Sequence, residues 1–315
     1  MISLFSLKYV LLYNIKNRMY VHIQLQQLFN LAIILLLGKY AAHLYLPWLN
    51  IVAIILFALI IEHLFIYIKN KQISYFSYSS LSTSMGVMLM MATPQLWIYM
   101  LIIGLGLFQK HFLTVDEAHS KKHFFNPSNF ALLLGLFLFY DDAHIVLGQL
   151  GDALWLNIAI GVLALFMLIR VDRWIIPLVF SMTYLLFEYL LVVQYDPIML
   201  MEEIYYRFFS VSFMLFILFM LTDPKTTPDK PLHQVVFASL IAFGAALFDA
   251  LYGFRVQHLF LVLSLLSLWI PLLMLWKKDK SQIRLILITV MILLLVISVI
   301  ISIEIKPPYY FTMDE

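Results

Sequence analysis

Apolar stretches long enough to cross a lipid bilayer recur along most of the chain, near residues 27–46, 48–68, 79–93, 95–110, 127–140, 153–169, 173–194, 204–221, 232–252, 257–276 and 283–303. A helix needs about 17–25 apolar residues to cross the hydrocarbon core. The pattern therefore predicts an all-α polytopic membrane protein with about eleven transmembrane helices, two or three of them short. Charged residues are only 12% of the 315 positions, about half the share that covers the surface of a soluble domain. The first residues, Met1 to Arg18, mix apolar side chains with Lys8, Lys16 and Arg18. They read as an interfacial amphipathic segment rather than a cleavable signal.

The polar connections set a topology. Sixteen of the 20 Lys and Arg residues fall on one side of the predicted spans. The other side keeps only Arg207, Arg255 and Lys306, and Lys39 lies within the first span. By the positive-inside rule the N-terminus is expected in the cytoplasm and the C-terminal tail outside. The net charge of +2 and the lack of a basic stripe argue against nucleic acid as a partner. The chain has no cysteine, which excludes disulfides, iron–sulfur clusters and thiol nucleophiles. No metal-ligand motif is present, and no pair of histidines is placed to hold haem.

A long self-similarity is visible. The second span carries Leu59-Ile60-Ile61-Glu62-His63-Leu64-Phe65 and the seventh Leu185-Leu186-Phe187-Glu188-Tyr189-Leu190-Leu191. The third span ends in Met91-Ala92-Thr93-Pro94, the eighth in Leu221-Thr222-Asp223-Pro224. Each pair is five spans apart, an odd number, so the halves would face opposite ways. This predicts two inverted five-helix repeats, 27–140 and 141–276, after an N-terminal segment 1–26 and before an extra helix and tail, 277–315.

Two features carry chemistry. Glu62 and Glu188 stand inside apolar helices, where an ionised carboxylate is costly unless paired or hydrated. They read either as an ion or proton pathway or as protonated groups that tie helices together. Lys39, His43 and His63 lie where they can snorkel. The second feature is a pair of proline junctions. Asn126 is placed to cap the fifth span and Pro127 to occupy its first position, with Asn129 one turn in. Thr222-Asp223-Pro224-Lys225-Thr226-Thr227-Pro228 closes the eighth span with hydroxyls, a carboxylate and a lysine. Either junction serves as a capped turn or as a ligand site at a broken helix.

At these residues the sequence resembles the RnfD/NqrB family of integral membrane subunits. The resemblance runs from Leu81-Ser82-Thr83-Ser84-Met85-Gly86 and Ala92-Thr93-Pro94, through Gln109-Lys110-His111 and His123–Asn129, to Phe219–Pro224. It covers about residues 30–275. The Thr-Asp-Pro-Lys-Thr-Thr-Pro form looks closest to stand-alone RnfD-like proteins associated with enediyne-biosynthesis clusters. The resemblance implies the inverted-repeat fold akin to urea transporters and the bacterial inner membrane as location. It also implies flavin held in the membrane, electron transfer coupled to Na⁺ or H⁺, and other membrane or periplasmic redox subunits as partners. Relatives bind FMN covalently on a threonine between the two junctions. Here Asp141–Glu203 contains only Thr183, outside any such motif, so covalent FMN is not expected.

Three functions follow as expectations. The first is an electron-transfer subunit, a component of a redox-driven ion translocase. It would hold a non-covalent flavin (FMN or riboflavin) or a quinone near Asn126, Pro127, Asn129, Thr222, Asp223, Lys225 and Thr226. The second is a channel or transporter for a cation or small polar solute, and the third a cofactor-less scaffold.

Overall fold

The computed structural model describes residues 23–42, 44–71, 77–117, 120–145, 154–196 and 198–268. The expected interfacial segment up to Arg18, His43, the last span and the tail lie outside the described residues.

The first helix, α1 (residues 23–40), is followed by α2 (Trp48–Asn70), α3 (Tyr78–Met90) and α4 (Leu96–Phe112). A short hairpin, β2 (Thr114–Glu117) with β3 (Ser120–His123), leads into α5 (Pro127–Leu138). The second half contains α6 (Leu154–Val171), α7 (Ile175–Glu188), α8 (Met201–Phe209), α9 (Val211–Leu215), α10 (Pro231–Tyr252) and α11 (Gln257–Ser267). π-helical turns continue α7 over Tyr189–Val193 and α9 over Phe216–Met220.

Among the described residues, four helices are long and apolar enough to cross a membrane: α2, α6, α7 with its π turn, and α10. Together, α8 and the stretch Val211–Met220 make a fifth candidate bent by 68°. Thus the uninterrupted span expected at 204–221 is broken. Ser210 causes the break: its extended backbone ends α8, and its Oγ accepts from Phe213 N to start α9. The shorter apolar helices α4, α5 and α11 account for much of the difference from the expected eleven spans. Outward faces are apolar, as lipid contact requires; on α6, Leu154, Ile158, Val162, Phe166 and Ile169 are exposed.

Side-chain bonds show which helix ends meet. Lys69 Nζ at the end of α2 donates to the His111 carbonyl at the end of α4. The hairpin then returns the chain to the start of α5 at the same end. Arg173, just before α7, bonds Thr227 and Asp229, just before α10, so these two helices start together. Asn126 at the start of α5 bonds Asp223. The ends of α2 and α4 therefore share one end of the bundle with the starts of α5, α7 and α10, and the ends of α7 and α10 form the other.

The short helices α3 and α5 each lead into a two-residue strand. After α3 comes β1 (Met91–Ala92), and after α5 comes β4 (His144–Ile145); the two pair antiparallel. Met91 is fully buried, and its carbonyl accepts a hydrogen bond from the Tyr99 hydroxyl, 2.6 Å. Almost every residue of α3 is buried, and its small Ser, Thr and Gly side chains let α5 approach closely. A Cβ on Gly86 would stand 3.0 Å from Ser128 Oγ, and one on Gly106 of α4 only 2.6 Å from the Pro127 carbonyl.

Candidate functional site

The two proline junctions meet. Asn126 caps α5 as predicted: its Oδ1 accepts from Ser128 N (3.0 Å) and Asn129 N (3.2 Å), with Pro127 in the first helical position. Its amide is then free to donate to Asp223 Oδ2 across 3.2 Å, joining segments 97 residues apart in sequence. Asp223 organises its own turn. Its Oδ1 accepts from Lys225 N, and its carbonyl accepts from the backbone N–H groups of Thr226 and Thr227 and from Thr227 Oγ1. Burial pushes the Asp223 carboxyl above its ordinary range, against the Lys225 N–H bond and the nearby Lys225 and Arg173 charges. His123, at the foot of the hairpin, is held well below the ordinary histidine range by burial first, then by Lys225, Lys110 and His111.

Between these junctions and α1 lies a cavity of about 70 Å³ lined by Gln24, Gln27, Ser82, His123, Asn126, Asp223 and Lys225. A smaller one of about 30 Å³ continues it toward Gly86, Met90 and Leu215, sharing Gln27, Ser82, Asn126 and Phe219. Not every expected ligand faces this space. Asn129 is turned to α11, donating to the Phe260 carbonyl (3.1 Å) and Ser264 Oγ (2.7 Å). Thr226 Oγ1 stays within the turn on the Asp223 carbonyl. Thr222 lines the cavity, but its hydroxyl donates to the Leu218 carbonyl. What remains available is Lys225, His123 and the α1 glutamines.

A flavin can be tested against this space. The polar lining suits a phosphate, a ribityl chain or a quinone oxygen. The volume does not suit the ring: sites that enclose ligands of that size measure about 300–1,000 Å³, against about 70 Å³ here. An enclosed isoalloxazine does not fit.

The two glutamates have different surroundings. Glu62, 1% exposed, has three partners on its Oε1 and none on its Oε2. Lys110 Nζ stands 2.5 Å from its Oε1, His111 Nε2 3.1 Å, and Ser77 Oγ donates at 2.9 Å. The cluster belongs to the end of the bundle that also holds Asp223 and Lys225. Glu188 has no hydrogen-bond partner on either oxygen, although it is fully buried. Beyond it, Arg207 Nη1 donates to Asp249 Oδ2 (2.9 Å) and to the Tyr184 hydroxyl, and His258 Nδ1 lies 2.5 Å from Asp249 Oδ1. Sequence reasoning missed these partners. Asp249 was the available signal, a lone carboxylate inside an apolar helix, like Glu62 and Glu188. Of the residues expected to snorkel, Lys39 donates to the carbonyls of Leu44 and Leu46, and His63 Nδ1 lies 2.6 Å from the Leu59 carbonyl of its own helix.

An apolar outer face, long apolar helices, one of them bent, and charged side chains buried in the interior define a multi-pass helical membrane protein. The model of the NQR2, RnfD, RnfE family matches residues 114–282, more than half the chain, and the protein belongs to that family. No curated protein matches the chain.

Proposed function

We propose that this chain is the membrane-embedded subunit of an electron-transport assembly, oriented with the Lys110–Asp223 end in the cytoplasm, and that a coupled H⁺ or Na⁺ passes through it. The observation that carries this reading is the Asn126–Asp223 hydrogen bond, which unites the two family-like junctions beside Lys225 and His123 in one polar cavity. A flavin or quinone whose ring lies outside the cavity, with only its polar oxygens or chain reaching in, would supply the electron-accepting chemistry. Lys225 and Gln27 would engage its polar oxygens without a covalent link. Thr183, the only threonine in 141–203, donates to the Val179 carbonyl of its own helix at 2.7 Å.

The reading includes two inverted repeats, α1–α5 and α6–α11. In its support, α2 with α4 and α7 with α10 are parallel pairs, each burying a glutamate, and the two glutamates lie toward opposite ends. Of these carboxylates Glu188 is the one with no cation of its own, since Glu62 is held by Lys110.

One observation favours a second reading. A cavity of about 70 Å³ has room for water, an ion or a small polar solute, which suits a channel or transporter on the same fold. The absorbance of the purified protein, before and after acid precipitation, separates the two. A flavin-type band released into the supernatant supports the redox reading. A protein that stays colourless after flavin and quinone are added, yet conducts solute in proteoliposomes, replaces it with transport.

A further inference from the structure

Four helices bring five side chains into one buried cluster at the end of the bundle opposite Asp223. Tyr184 and Glu188 stand one turn apart on α7, Arg207 lies on α8, Asp249 in the last turn of α10, and His258 in the first turn of α11. None of the five is more than 3% exposed. The Phe254 ring covers the Arg207 guanidinium, 3.3 Å from ring centroid to Cζ.

The bonds divide the two carboxylates into a saturated one and an empty one. Asp249 Oδ2 accepts from Arg207 Nη1, and Oδ1 accepts from Arg255 N at 2.9 Å with His258 Nδ1 at 2.5 Å. Neither Glu188 oxygen has a hydrogen bond of good geometry, although the Tyr184 hydroxyl and the Asp249 carboxylate are its close polar neighbours. Arg207 is a permanent cation and already the counter-ion of Asp249, so with a neutral His258 donating its Nδ1–H to Asp249 an ionised Glu188 adds one uncompensated negative charge to a buried site. Such a charge is costly in protein interiors and in membranes alike.

A proton or a metal cation could relieve it, and the geometry selects between them. A guanidinium inside the cluster repels a second full cation. Moreover, no group of three or more acidic, His or Cys side chains among the described residues could hold a metal ion. Glu62 shows the contrast, because Lys110 supplies its counter-charge and leaves none surplus.

We propose that the cluster is a one-proton site in which Glu188 carries the proton as a carboxylic acid, Asp249 and Arg207 remain a fixed ion pair, and His258 positions Asp249. Proton release leaves a Glu188 carboxylate, so it requires a positive charge to approach or the Asp249 charge to be taken away. Asp249 lies three residues before the end of α10, so exchange needs to reach only the near end of the bundle. The site stands under the redox and the transport reading alike.

The test is infrared difference spectroscopy on the purified full-length chain at neutral pH, wild type against Glu188→Gln. The expected result is a carbonyl stretch of a protonated carboxylic acid in wild type that is lost in the variant. Asp249→Asn should lose the same band, because Glu188 then ionises as the counter-ion of Arg207; a group that merely packs there would keep it. Should Asp249→Asn fail to fold, carbodiimide labelling of wild type, which targets buried protonated carboxyls, must modify Glu188. Absence of the band in wild type, its persistence in Glu188→Gln or in folded Asp249→Asn, or its loss when K⁺ is exchanged for Na⁺ would overturn the proposal. A colourless protein that shows the band sinks the redox reading alone.

Discussion

Replacing Lys110 by Gln should destabilise the protein by about 3–4 kcal/mol at pH 7, and replacing its partner as well should restore most of the loss. The Lys110 ammonium stands 2.5 Å from a Glu62 side chain that is 2% exposed, so the variant leaves a buried carboxylate without its main counter-charge. Removing one partner of a buried pair costs about 3–5 kcal/mol. A second limit applies, because the orphaned carboxyl can take a proton from water. For an ordinary glutamate this costs about 3.7 kcal/mol at pH 7 and about 1 kcal/mol at pH 5. The deficit of Lys110→Gln should therefore stop near the pH 7 figure and shrink as the pH falls. Glu62→Gln should cost less, since the long lysine stem can carry its charge toward the end of the bundle. The double variant replaces the pair with two amides and should lie within about 1 kcal/mol of wild type, leaving a coupling of at least about 2–3 kcal/mol. Unfolding in mixed detergent micelles, followed by tryptophan fluorescence at pH 7 and pH 5, measures all four corners of the cycle. Additive losses, or a Lys110→Gln deficit that does not shrink at pH 5, would refute the reasoning.

Asn126→Ala removes the cap of α5 and the bond to Asp223, and should cost about 1–2 kcal/mol in the same unfolding assay; Asn126→Asp keeps the cap but sets a second carboxylate against Asp223, and should not recover the loss. Gly106→Ala drives a Cβ to 2.6 Å from the Pro127 carbonyl, a backbone atom that cannot swing away, so a loss of about 1–3 kcal/mol is expected. Gly161→Ala is its control, with nothing within 4 Å of the added atom and a gain of up to about 1 kcal/mol from helix propensity. His123 is held well below the ordinary histidine range by burial and by Lys225. The unfolded chain thus takes up a proton near the ordinary value that the folded chain refuses, and stability falls as the pH drops below about 6.5. His123→Gln should flatten that acid-side loss, read as the change in unfolding midpoint between pH 7.5 and 5.5.

The parts of this molecule that were legible in its sequence are those governed by local physics. An apolar run such as Trp48–Tyr67 has no alternative in lipid to a helix that satisfies its own backbone, so α2 follows from composition alone. The capping of α5 was equally legible, since Asn before Pro states a helix start in two residues. The broken eighth span was not. Ser210 lies between Phe209 and Val211 in a stretch that reads as one hydrophobic segment, and only the turn of α8 toward Asp249 and Tyr184 uses its capping oxygen to bend the path by 68°. Glu62 and Glu188 looked alike for a related reason. Their local sequences match, yet what separates them is a lysine 48 residues away on α4 and an arginine that another carboxylate has already claimed. Long-range pairing of charge leaves no trace in the window around either glutamate. The signal that does survive is arithmetic over the buried charges as a group: where carboxylates outnumber cations, a proton or a cation completes the balance, and in this protein that place is Glu188.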